Sequence, residues 1–128
     1  MAEKQQIIYH MLEAKEWKAC EGKEYYPKTF KQDGFTHATG EAKLLIKIAN
    51  MFYKESKEEW ICIAVDTNKL KAEVKWEAPA PVGNKKGDES EPKVLFPHIY
   101  GPIMHEDVVK VYPIVRSEQG EFLSIEGI

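Results

Sequence analysis

Cysteine is scarce in this chain. Its two cysteines, Cys20 and Cys62, stand far apart, with no close Cys or His pair at metal-ligand spacing. Neither a disulfide scaffold nor a zinc module is expected, and no metal site is assigned. Cys62 lies in an apolar run and is expected to be a buried thiol. Neither sign of charge prevails: 18 Lys and Arg against 21 Asp and Glu leave a net charge of -3. That balance gives no electrostatic case for nucleic acid or an acidic membrane as partner. No apolar run approaches the roughly 20 residues that span a bilayer. The opening Met1-Ala2-Glu3-Lys4-Gln5-Gln6 has no signal-peptide core, so a cytoplasmic protein is expected. A P-loop, a dinucleotide glycine fingerprint and a nucleophile elbow are also missing.

What is present suits one domain of 128 residues with a real core. Ile7 to Met11 is apolar and β-branched, and reads as a first strand. Glu13 to Cys20 reads as a short helix with Gly22 just past its end. Asp33-Gly34 is a turn signal before Phe35-Thr36-His37. From Glu41 to Lys54, Leu44, Leu45, Ile48, Met51 and Phe52 recur on one helical face. Lys43, Lys47 and Asn50 are expected to project away from it, with Thr39 or Gly40 as N-cap. Trp60 to Val65 is almost continuously apolar, as a central strand is. Ala72 to Glu77 alternates, so Val74 and Trp76 are expected to face in, Lys75 and Glu77 out. Residues 78–93 turn to Pro, Gly, Asn and charge, and are expected to form a mobile surface loop. Asp107 to Val115 reads as a late strand and Phe122-Leu123 as a last short one. Strands outnumber helices, so the fold class is α+β with a largely antiparallel sheet.

Four histidines carry most of the chemistry on offer. His98 sits in Phe96-Pro97-His98-Ile99-Tyr100-Gly101-Pro102, where two prolines restrict the backbone and Gly101 permits a turn. His10 ends Ile7-Ile8-Tyr9-His10, and His37 lies in Asp33-Gly34-Phe35-Thr36-His37-Ala38-Thr39. These three are expected to line one concave site with Tyr100 or Trp76 on its wall. Each could instead be a structural histidine bonded to local backbone. Glu77 is read either as a carboxylate of that site or as a solvated strand residue. His105, beside Glu106 and Asp107, is expected to be a solvated surface residue.

Taken together, Ile8-Tyr9-His10, the Trp17 helix, Tyr26-Pro27, Asp33 to Thr39, Ala49-Asn50 with Phe52, Val65-Asp66, Trp76-Glu77 and Phe96 to Pro102 resemble the domain-of-unknown-function 952 family. The pieces run in the family's order and cover most of the chain. Thr39 stands where the family commonly has Ser, and Lys43 where it commonly has Gln. The resemblance implies a fold similar to ADP-ribosyltransferases, a small split β-sheet with helices around an NAD cleft. It further implies that His10 holds a nicotinamide ribose and that His37 or Thr39 fills the second motif. Glu77, or His98 in its place, would serve the transition state as the late glutamate does. Thr39, Trp76, Phe96 and Tyr100 are the expected ligand contacts, around His10, His37, His98 and Glu77 as catalytic candidates.

Three readings remain open. The first is a domain that binds a nucleotide or NAD-like small molecule. The second is an enzyme related to ADP-ribosyl transfer or NAD-dependent phosphate removal. The third is a protein-interaction module whose histidine cleft is structural.

Overall fold

The computed structural model describes residues 7–77 and 95–128. Among these residues, seven strands form two antiparallel sheets. The first has the order β1-β3-β6-β7, built from Ile7–Glu13, Trp60–Asp66, Val108–Arg116 and Phe122–Ile125. The second has the order β2-β5-β4, built from Thr36–His37, Phe96–Tyr100 and Glu73–Glu77. Three short α-helices accompany them among the described residues: α1 (Ala14–Ala19), α2 (Phe30–Asp33) and α3 (Leu45–Phe52). The class is therefore α+β, as expected, and the expected loop at 78–93 lies outside the described residues.

β3 is the spine. Every residue from Trp60 to Asp66 is buried, because β1 and β6 flank the strand and both of its faces are covered. Alternation along β3 feeds two cores. Ile61, Ile63 and Val65 join Ile8, Leu12, Ile99 and Ile103 on one side. Trp60 and Cys62 join Met11, Leu45, Ala49 and Phe122 on the other. Each of these large side chains, fully buried, contributes about 1.5–3 kcal/mol. Cys62 is fully buried, as its run implied, and burial pushes its thiol up to about 12.

Among the described residues, one backbone bridge joins the second sheet's segment to β1. Tyr9 N–H donates to Thr39 O at 2.8 Å, and Thr39 N–H to Tyr9 O at 2.7 Å. Thr39 is thus tied into strand pairing and caps no helix. Glu41 is the residue before the helical segment, which opens as a 3-10 turn at Ala42–Leu44 and makes no side-chain cap. The buried stripe of α3 is Leu45, Ala49 and Phe52, rotated slightly from the expected face. Asn50 does not project into solvent. Its amide donates to Phe122 O at 3.0 Å and accepts from Phe122 N–H at 2.8 Å, pairing α3 to the edge strand β7.

Two further expectations are corrected. Gly101 is not among the glycines with positive φ, so no left-handed turn requires it. A Cβ there would stand 2.6 Å from Ala72 Cβ, so close approach of the chain before β4 is what requires glycine. His105 is not solvated. Its ring stacks on Trp17 at 3.7 Å and 7°, and Nε2–H donates to Trp17 O at 3.0 Å. The carboxylates beside it had suggested exposure, but the indole face offers the ring a larger contact.

Candidate functional site

The site is written in strand register. His37 of β2 lies directly opposite His98 of β5, which lies opposite Lys75 of β4. Directly paired residues share a face, and so do residues two apart. Phe96, His98 and Tyr100 therefore line one face with Lys75 and Glu77, and Phe35 and His37 arrive from the β2 side. The alternate residues Thr36, Val74 and Ile99 fall on the opposite face, against the core. The alternation read in β4 is correct in period. Its outward face is not bare solvent, however, but the face that carries the site.

Glu77 is the fixed point. Tyr100 O–H donates to its Oε1 at 2.5 Å and His98 Nδ1–H to the same oxygen at 2.8 Å. The Glu77 side chain stays 40% exposed, whereas that of His98 is 3% exposed. The Tyr100 bond, then the His98 bond, holds the carboxyl below its ordinary range, and the carboxylate in turn raises the Tyr100 hydroxyl. A second carboxylate–imidazole pair stands beside this one. His37 Nε2–H donates to Asp33 Oδ2 at 2.8 Å, and both side chains are largely buried. Burial lowers the His37 pKa more than Asp33 raises it. The charge of Asp33 also bears on Tyr53, whose hydroxyl is raised first by burial.

Phe35 joins the two pairs. Its ring stacks on His98 at 4.1 Å and 20° and lies 4.7 Å from His37 and 5.4 Å from Tyr100. The two imidazoles meet edge to face at 5.6 Å. Gly34, at φ 84, ends α2 in the left-handed conformation and turns the chain from Asp33 into Phe35. Lys75 completes the row, its ammonium 5.0 Å above the Tyr100 ring.

His10 stands behind the row. It is 4% exposed and spends both ring nitrogens internally. Nδ1–H donates to His37 O at 2.6 Å, which leaves Nε2 to accept from Tyr25 O–H at 2.9 Å. Burial lowers its pKa to about 4, so the ring is neutral near pH 7. The three expected segments do converge, but His10 touches the backbone of His37 and not the row itself.

Among the expected contacts, Phe96 and Tyr100 lie on the site face. Thr39 is buried at the bridge to Tyr9. Trp76 belongs to the other face of β4, and its expected burial is corrected: the indole lies over Gly40, at an edge strand, and is 38% exposed. Asp33, Phe35, Tyr25 and Lys75 were not singled out from sequence. The Asp33–His37 spacing and the two-residue repeat Phe35–His37 were the available signals, masked by reading Asp33-Gly34 as a turn alone. Among the described residues no cluster of three metal-ligating side chains forms, and no helix is long and apolar enough to cross a membrane.

The model of the family described as Protein of unknown function (DUF952) matches residues 11–111. The crystal structure of protein CC0527 from Caulobacter crescentus is similar to this chain at a TM-score of 0.70 and 22% identity, covering 92% of this chain and 94% of that one. Its solution NMR structure is similar at a TM-score of 0.63 and 22% identity, covering 89% of each chain. At that identity the likeness shows the fold alone, and it lends no support to the expected kinship with ADP-ribosyltransferases. No curated protein matches the chain.

Proposed function

The chain belongs to the DUF952 family, whose function is unknown, and from that premise we propose that the row on β2, β5 and β4 binds a small molecule of the nucleotide or NAD class through its ribose hydroxyls. One observation carries the reading. The Glu77 carboxylate is held at Oε1 by Tyr100 and His98, yet the side chain is 40% exposed. Two anchors fix it before any ligand arrives, so little ordering cost remains to be met on binding. Its lowered pKa keeps it anionic at neutral pH, and an anionic acceptor bonds hydroxyls more strongly than a neutral one. His37, backed by Asp33, and the faces of Phe35 and Phe96 supply the surroundings. His10 supports the His37 backbone from behind.

A second reading uses the same carboxylate. Breaking a glycosidic bond develops oxocarbenium charge, which a fixed, exposed carboxylate stabilises. On this reading Glu77 is the catalytic residue, and His98 and Tyr100 position it.

Calorimetry with NAD on the wild type and Glu77→Gln, beside an assay for released nicotinamide, tests both. Glu77→Gln is expected to weaken binding by about tenfold or more, since the neutral amide loses the charge-assisted bond. Absence of wild-type binding at millimolar NAD, ADP-ribose and ribose would overturn the binding reading and leave the interaction module. Release of nicotinamide by the wild type but not by Glu77→Gln is the outcome expected of the enzyme.

A further inference from the structure

Among the described residues, Lys75 is the cation of the site face. Register sets it opposite His98, two residues from Glu77 on the same side of β4. Its ammonium lies 5.0 Å over the Tyr100 ring, and among the described residues it forms no ion pair, although Glu73 and Glu77 flank it along the strand. The carboxylates of Glu73 and Glu77 stand on either side of it along β4, and that of Asp33 lies behind His37. Among the described residues of this face, an anionic ligand therefore finds its favourable side-chain charge at Lys75. The ammonium is exposed and, beyond its contact with the Tyr100 ring, forms no ion pair among the described residues, which suits capture of a phosphate.

Spacing narrows the ligand. Residues two apart on a strand stand about 6.5–7 Å apart at Cα. A pentose phosphate spans a comparable distance between a ring hydroxyl and its phosphate. Both groups can thus be met at once, the hydroxyl by Glu77 and the phosphate by Lys75.

We propose that Lys75 is the specificity-determining residue of this site, selecting a phosphorylated pentose over the unphosphorylated sugar, an inference that rests on the reading of Glu77 as the hydroxyl acceptor. Glu77 and Lys75 then act as a two-point ruler: the carboxylate demands a hydroxyl, and the ammonium demands an anion one strand repeat away. Bare inorganic phosphate satisfies only one point, and bare ribose only the other.

NMR titration of the labelled protein with ribose 5-phosphate, D-ribose and inorganic phosphate separates the two claims. The wild type is expected to prefer ribose 5-phosphate over ribose by about tenfold, a preference that falls as salt rises. Lys75→Gln should lower the affinity for ribose 5-phosphate by about tenfold more than it lowers that for ribose, and Lys75→Arg should restore the preference. Equal wild-type affinity for the two sugars, or a phosphate preference that survives Lys75→Gln, would overturn the role of Lys75 while the Glu77 reading stands. Ribose 5-phosphate binding that persists undiminished in Glu77→Gln but not in Lys75→Gln would remove the ruler, because the phosphate alone would then suffice. No response to either sugar would take away both claims together.

Discussion

At the residue scale, the most consequential placement is that of a neutral imidazole inside the fold. His10 keeps one proton on Nδ1 for the His37 carbonyl and a lone pair on Nε2 for Tyr25 O–H. Protonation would put a second donor against the Tyr25 hydroxyl and charge a buried ring. Its folded pKa, about 4, lies below the ordinary value of 6.5. The unfolded chain therefore binds the proton first as pH falls. The contribution is complete above about pH 6.5 and drains away between there and pH 4, totalling on the order of 3 kcal/mol. Urea unfolding at pH 7.5 and pH 4.5 should show this loss in the wild type. His10→Gln, which cannot titrate, should be less stable at pH 7.5 but much flatter with pH. A wild-type slope no steeper than that of the variant would argue against a neutral, buried His10.

At the element scale, the strand pair β4–β5 sets Lys75 against His98 and Glu77 against Phe96. Its register is held at one end where Gly101 passes Ala72, with no room for a methyl group between them. Ala72 cannot swing aside, since its Cβ is fixed to the backbone. Gly101→Ala should therefore move the strands apart and cost about 1–3 kcal/mol in thermal or urea unfolding. Ala72→Gly in the same molecule should recover most of that loss, a coupling expected only of residues in contact. If the two substitutions simply add, the close approach is not what requires glycine. Trp76 over Gly40 is a weaker constraint of the same kind, because an exposed indole can tilt away.

At the scale of the whole molecule, the two cores share one strand. Ile61, Ile63 and Val65 belong to one and Trp60 and Cys62 to the other, so neither core can open without β3 losing cover. Unfolding is expected to be a single cooperative transition, with the slowest amide exchange at Cys62, Ile63, Ala64 and Val65. Two separated exchange classes, one for each core, would contradict it. Arg116 ties the far end. Its guanidinium donates to Glu58 O and Gly120 O, both at 2.7 Å, and lies 4.1 Å over the Phe122 ring. That contact fastens the β6–β7 hairpin to the segment leading into β3. Arg116→Met keeps the apolar stem but leaves three carbonyl contacts unmade, and should cost about 2 kcal/mol in the same unfolding assay.

Local pattern alone determined the fold class, the central strand and the segments that hold the histidines. Continuous apolarity marks Trp60 to Val65 because a strand covered on both faces has no polar side. Phe96 to Pro102 read as a proline-restricted strand end or turn, and only as strand β5 do Phe96, His98 and Tyr100 share a face; Lys75 and Glu77 do so by the alternation read in β4. Which face that is depends on which strands pair, and pairing is a long-range event with no local signature. Hence Lys75 read as solvent-facing and Glu77 as either a site carboxylate or a solvated one, although register and a side-chain bond bring both to His98. Asn50 and His105 misled for the same reason: their partners, Phe122 and Trp17, lie 72 and 88 residues away in the chain. His10 was legible as a residue of the assembly but not as its hidden support. Only the packing of β1 behind β2 decided that its ring would be buried, neutral and bonded to the backbone of another histidine.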